Sequence, residues 1–272
     1  MTATYRPRTI RALVLTLAAA AVTAAAALTA PAALAGPAAL ARARPADQAT
    51  TAQPLPAALS GYHLAKQFTG ADIAGPAWNN PGDNPGGCPP NPAQISLTEA
   101  GGAEMSTSGE IGDCANAESP HPYPTAAGYV YEVSLYDSSF ADWGGYWSYA
   151  SNWPDGGELD AVESVHGDSY VSYHYTGNQT VTVGTKTLTP VGQNITPGWH
   201  IVDVAYFGQK IEIFYDGHLY VTIAGSYVTA TPAWIVFGDG SCQSATYSVC
   251  ASDADIGVAG NVQVKYLRIF LN

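Results

Sequence analysis

Charge is scarce in this chain. Only 12% of its 272 residues are charged, and its 10 lysines and arginines are outnumbered by 22 aspartates and glutamates. So few cations argue against nucleic acid and anionic lipid as partners, because clustered positive charge is what holds both. Other absences narrow the chemistry. There is no glycine-rich phosphate loop and no Gly-x-Ser-x-Gly turn to present a serine nucleophile. No cysteine and histidine pair in a pattern suited to thiol catalysis. His63, His121, His200 and His218 have no metal-ligand spacing, and no EF-hand loop is present. Beyond residue 35 no apolar run is long enough to span a bilayer. No helical period of useful length and no internal repeat appear there either, which leaves strands.

What is present begins with a leader. Arg6, Arg8 and Arg11 precede an alanine-rich apolar run from Ala12 to Leu28, and Ala33-Leu34-Ala35 before Gly36 fits a small-residue cleavage site. Residues 1–35 are expected to be a cleaved signal peptide rather than a membrane anchor, and the mature protein to be secreted without membrane insertion. Cleavage removes three basic residues and no acidic one, leaving 7 minus 22, or −15, with histidines neutral. Residues 36–60 are rich in alanine and proline and lack periodicity, which predicts a flexible leader. Residues 61–272 are long enough for one large domain with a substantial core, expected to be a monomer. Four cysteines in a secreted chain predict two disulfides. Of the three pairings, nearest neighbours in sequence give Cys88–Cys114 and Cys242–Cys250.

Short alternating segments dominate that domain. Gly61 to Phe68 reads as an opening strand, 69–95 as a long Gly/Pro/Asn loop, and Ile95 to Cys114 as short pieces broken by glycine. Strands are predicted at Tyr129–Tyr136, Gly144–Ala150, Tyr170–Tyr175, Thr180–Val183, Trp199–Tyr206, Lys210–Tyr215, His218–Ile223, Ala233–Phe237 and Val262–Phe270. Asp216-Gly217 is a tight hairpin signal. Many short strands joined by turns indicate an all-β, two-sheet antiparallel β-sandwich. Tyr136 is assigned to its core.

One stretch breaks the scarcity of charge. Glu158-Leu-Asp160-Ala-Val-Glu163 places three carboxylates in six residues among apolar neighbours. In a strand Glu158 and Asp160 share a face, and Leu159 points the other way. Glu163 has the wrong parity. One extra residue near Ala161 or Val162, a β-bulge, would return it to the same face, and bulges recur beside active sites for this purpose. Three carboxylates on one face repel one another, a cost that argues for a function.

This stretch resembles the Glu-x-Asp-x-x-Glu catalytic motif of glycoside hydrolase family 16. The resemblance extends from about Gly128 to Phe270. Trp143-Gly-Gly-Tyr-Trp147 is similar to that family's Trp-x-x-x-Trp segment. Trp199-His200 through Asp216-Gly217 is similar to its Trp-His to Asp-Gly stretch, with Tyr206-Phe207 where the family often has tryptophan. The first third of the domain matches poorly, and substrate-defining loops lie partly there. The resemblance implies a jelly roll of the concanavalin A-like kind and a retaining, endo-acting hydrolase. Glu158 would be the nucleophile, Glu163 the general acid/base, and Asp160 a modulator between them. Trp143, Trp147 and Trp153 become candidate sugar platforms, and His174 a cleft histidine, with His166 as its rival. No cofactor is required, although the family allows a structural calcium ion. The partner implied is a polysaccharide, with a β-1,3- or mixed β-1,3/1,4-glucan leading and galactans left open. A lectin-like binding protein on the same sandwich is the alternative from another class, and a transglycosylase the alternative within this one.

Overall fold

The structure, a computed structural model, describes residues 54–78, 92–110, 114–138, 143–153, 155–165, 168–176, 179–182, 198–240 and 258–272. Strands form where alternation is present. In chain order they are β1 (His63–Thr69), β2 (Ile95–Leu97), β3 (Ala103–Ser106), β4 (Cys114–Glu118), β5 (Tyr129–Asp137), β6 (Trp143–Ala150) and β7 (Glu158–Val165). Then come β8 (Asp168–Tyr175), β9 (Gln179–Thr182), β10 (Gly198–Tyr206), β11 (Lys210–Tyr215), β12 (His218–Ala224), β13 (Ala233–Gly240) and β14 (Asn261–Leu271). They make two antiparallel sheets. The larger runs β12-β11-β10-β5-β14-β3-β2, with β1 also paired to β14, and the smaller runs β4-β13-β6-β7-β8-β9. The expected two-sheet sandwich is therefore the observed architecture.

Period-two alternation decides what lies between the sheets. Tyr131, Val133 and Leu135 of β5, with Val202 and Val204 of β10, meet Tyr146, Leu159, Val171, Ile235 and Phe237 from the smaller sheet in one apolar cluster. Each such side chain, once fully buried, contributes on the order of 1.5–3 kcal/mol. Asp216 (φ 47°) and Gly217 (φ 80°) take up the left-handed pair of a tight hairpin between β11 and β12, as their sequence signals.

Three expectations need correction. The leader assigned to 36–60 is packed at its end. Leu59 is fully buried with Val130, Ala205, Phe214 and Phe270, and Leu55 and Tyr62 pack beside it. Apolar cover for the outer face of the larger sheet thus begins before residue 61. The loop at 69–95 is not purely irregular. Gly70–Ile73 is one helical turn (α1), held by a capping box between Thr69 and Asp72, too short for any period to register. Trp78, from the same region, stacks on Phe237 at 5.9 Å and meets Phe68 edge-on at 5.2 Å. Tyr136 has the parity of the outer face and is half-buried against Trp199, with ring centroids 5.4 Å apart.

The decisive local feature is in β7. Asp160 pairs with Ser172 of β8 and Glu163 pairs with Tyr170, so three steps on β7 oppose two on β8. The same slip appears against β6, where Trp147 pairs with Asp160 and Tyr146 with Val162. The extra residue therefore falls at Ala161–Val162, the position expected. Leu159, Ala161 and Val162 are all buried in the core, at 3%, 0% and 2% exposure. Glu158, Asp160 and Glu163 consequently project from the opposite face. Across from the bulge lies Gly145, with φ 141°, where a Cβ would collide with the Val162 carbonyl oxygen. The bulge is accommodated because β6 has no side chain there.

Gly145→Ala is expected to destabilise the protein by roughly 2 kcal/mol or more, combining a disfavoured φ with a backbone collision. Gly208→Ala is the control. Its φ is 79° and the space around it is open. Urea unfolding of both variants measures the difference, and equal losses would show that the bulge does not depend on Gly145.

Candidate active site

The carboxylate face is built by three neighbouring strands. On β7, Glu158 lies opposite Tyr149 of β6 and His174 of β8. Asp160 lies between Trp147 and Ser172, and Glu163 between Gly145 and Tyr170. The bulge is what puts the third row on the same side as the first two. Without it, Glu163 would be driven into the apolar core.

Each carboxylate has a specific partner. The Trp153 indole N–H donates to Glu158 Oε2 at 2.8 Å, and the Trp143 indole N–H donates to Glu163 Oε1 at 3.0 Å. Asp160 Oδ2 lies 3.0 Å from His174 Nε2. Asp160 is 7% exposed, and both glutamates are half-buried. Burial is the main force on the glutamates and holds both carboxyls well above the ordinary range, with the Asp160 charge pushing the same way. The two indole bonds and the His174 charge oppose that rise. His174 is raised in turn, first by its hydrogen bond to Asp160 and against the effect of burial. Asp160 and His174 therefore form an ion pair. Both glutamates are thus held toward their protonated forms as pH approaches neutrality. A single face thus carries two carboxyl groups that exchange protons nearer neutrality than ordinary carboxylates do, as general acid and base chemistry at one bond requires.

All of the expected carboxylates, together with His174, come together here. Trp143 and Trp153 sit differently from simple platforms, because their N–H groups are fixed on the glutamates. Trp147 is half-buried beside Asp160 on the outer face. Gly238 of β13 leaves it room: a Cβ there would lie 2.7 Å from the Trp147 ring and collide with Asn116. Sequence reasoning missed the contribution of β4. Ala115 and Ala117 enter the core, so Asn116 and Glu118 face outward with the carboxylates. Glu118 is 7% exposed and accepts a 2.6 Å hydrogen bond from the Tyr149 hydroxyl. The alternation Ala-Asn-Ala-Glu was its only signal.

His166 lies outside the described residues. Cys114 is disulfide-bonded, but Cys88, Cys242 and Cys250 also lie outside the described residues, as does the expected signal peptide. Among the described residues no group of three or more His, Cys, Asp or Glu side chains is arranged to hold a metal ion.

No protein-family model matches the chain, and no curated protein matches it in sequence. Solved structures do match. The laminarinase catalytic domain from Thermotoga maritima MSB8 is 15% identical, with 78% of this chain and 98% of that one covered at a TM-score of 0.57. The Bacillus licheniformis β-glucanase is 16% identical, with 78% and 92% covered at 0.52. An endo-acting O-glycanase of the human gut microbiota, described as initiating mucin breakdown, is 16% identical, with 65% and 82% covered at 0.53. At these identities the likeness shows the fold: this chain has the jelly-roll sandwich of the β-glucanase structures to which its carboxylate motif pointed.

Proposed function

We propose that this protein is a secreted, endo-acting, retaining glycoside hydrolase. Its substrate in this reading is a polysaccharide with internal β-glycosidic bonds, a β-1,3- or mixed β-1,3/1,4-glucan. One observation carries the reading: the β7 bulge sets Glu163 on the face of Glu158 and Asp160. The shared fold with a laminarinase and a β-glucanase supports it. In the first step Glu158 attacks the anomeric carbon while Glu163 gives its proton to the departing glycosidic oxygen. In the second, Glu163 takes a proton from water, which attacks the same carbon and releases Glu158. Asp160, held by His174, keeps negative charge beside the nucleophile as its own charge is lost to the ester and regained. Trp153 and Trp143 hold the two glutamates in place through their N–H groups. Residues 1–35 serve as the export signal, and the disulfides are Cys88–Cys114 and Cys242–Cys250.

Glu158→Gln and Glu163→Gln should each lower kcat on β-glucans by at least about a thousandfold, the scale of losing a positioned acid or a nucleophile. A reducing-sugar assay across β-glucans and galactans measures this. Full activity in either variant sinks the assignment, and retention on a glucan gel without release of reducing ends favours the lectin-like alternative.

The wild-type kcat/KM should be bell-shaped in pH, with its optimum above the ordinary carboxylate range. On the acid side the pair becomes doubly protonated and the nucleophile is silenced. On the alkaline side it becomes doubly ionised and the acid is gone. Trp153→Phe removes a bond that lowers the Glu158 pKa, so the acid limb should move to higher pH. Trp143→Phe does the same for Glu163, so the alkaline limb should move to higher pH. Unmoved limbs in both variants would contradict the positioning roles.

Stability gives an independent check. Both folded-state glutamate pKa values lie above the ordinary 4.5. Below that value folded and unfolded chains are equally protonated and no penalty exists. As pH rises toward neutrality the unfolded chain releases protons that the folded chain retains, so the wild type loses stability. Glu163→Gln should therefore become more stable relative to wild type between pH 4.5 and neutral pH, as read by denaturant unfolding. A difference independent of pH would contradict the upward shift.

A further inference from the structure

Glu158 enters β7 from a turn built on two glycines. Gly156 and Gly157 come directly before it, and Trp153, whose indole donates to its carboxylate, stands in the same turn. How that indole meets Glu158 therefore depends on how the turn is fastened. Within the turn, the Trp153 N–H donates to the Ala150 carbonyl at 2.9 Å and the Asp155 N–H to the Asn152 carbonyl at 3.1 Å. The Ala150 N–H donates to the Gly157 carbonyl at 2.8 Å and closes it.

Two further hydrogen bonds tie the turn from outside, and both come from one segment. Residues 225–232 cross from β12 of the larger sheet to β13 of the smaller. In this crossing the Pro232 carbonyl accepts from the Ser151 N–H at 3.1 Å, and Thr229 Oγ1 accepts from the Gly157 N–H at 3.3 Å. Thr229 is itself braced, because its own N–H donates to the Tyr173 hydroxyl at 3.1 Å. Tyr173 is a buried core residue of β8, paired with Leu159. Its hydroxyl also lies against Gly157, where an added Cβ would collide with it. Gly157, Thr229 and Tyr173 thus close a triangle beneath the first residue of β7. Beside them lies a small cavity whose lining includes Ser148, Leu159, Tyr206 and Thr231. The turn therefore has room to settle inward once the Thr229 hydroxyl is lost.

We infer that Thr229 is a positioning residue for Glu158: its hydroxyl, braced by Tyr173, fixes the glycine turn so that the Trp153 indole N–H stays on the Glu158 carboxylate. The inference rests on the hydrolase reading for the part that Glu158 plays. It extends the site to a segment that carries none of its carboxylates, and Thr229 acts only through the turn.

The test uses the mature full-length protein. Thr229→Val keeps the shape of the side chain and removes the acceptor, whereas Thr229→Ser keeps the acceptor. Thr125→Val is the control, because Thr125 lines the same cavity but donates to the Thr231 carbonyl instead of holding the turn. The Trp153 indole N–H signal, identified by its loss in Trp153→Phe, reports Glu158 protonation by NMR without any substrate. In Thr229→Val its midpoint should move to higher pH with a smaller amplitude, because a weaker indole bond lowers the Glu158 pKa less. Asp160, His174 and Glu163, the charges that act on Glu158, are unaltered by the substitution. The kcat should fall about tenfold with KM little changed, inside the roughly hundredfold that a misplacement of about 1 Å can cost. Thr229→Ser should keep both wild-type values, and so should Thr125→Val. In a Trp153→Phe background Thr229→Val should cost less than about threefold, since the two act through one contact. If Thr229→Val does not fold, Tyr173→Phe, which removes the brace, carries the same expectations. A moved midpoint with no glycan cleaved by the wild type would leave this inference standing while removing the hydrolase reading. An unmoved midpoint in Thr229→Val, an equal effect of Thr125→Val, or the full tenfold cost in the Trp153→Phe background overturns it.

Discussion

The structure depends on a conflict settled inside one strand. Leu159, Ala161 and Val162 all enter the apolar core, although strict alternation would allow only the first two. Satisfying all three requires one surplus residue in β7, and the surplus turns Glu163 outward. Hydrophobic burial, the largest favourable term in folding, thereby places three carboxylates together, an arrangement that electrostatics alone would oppose. The bulge is thus kept by packing on one side of the sheet and exploited on the other.

The opposition is moderated locally. Each glutamate receives one indole hydrogen bond, and Asp160 has a histidine cation. None of these neutralises the pair of glutamates completely. Both remain above their ordinary pKa values, with burial the largest cause. Two different tryptophans serve the two glutamates, one from the first residue of β6 and one from the turn before β7. Each carboxyl therefore has its own hydrogen-bond donor, fixed by a different part of the backbone.

Much of this was legible in the residues. The β strands announced themselves through alternation, and the parity of Glu163 against Glu158 and Asp160 located the bulge. The motif pointed to the three carboxylates and the family resemblance to His174, and these four side chains do share one face. What the residues hid was either too short or too distant in sequence. The single turn at Gly70–Ile73 cannot show a period. Leu59 pairs with residues far along the chain, so its burial leaves no local pattern. Gly145 reads as an ordinary strand glycine until the Val162 carbonyl is seen across from it. Glu118 lies 40 residues before Glu158 in the numbering, and only sheet order brings β4 to the same surface. The roles of Trp143 and Trp153 depended on which atom of the ring faces the glutamates, which composition does not encode.

The same irregularity is a change of length that leaves the outer face in register. Deleting one residue at Ala161–Val162 would restore a plain ladder, yet the second glutamate would then stand four positions after Glu158 and keep its side of the sheet. What the surplus residue adds is one more apolar side chain underneath, since Ala161 and Val162 both enter the core, so the insertion alters the packing below the sheet and spares the surface above it.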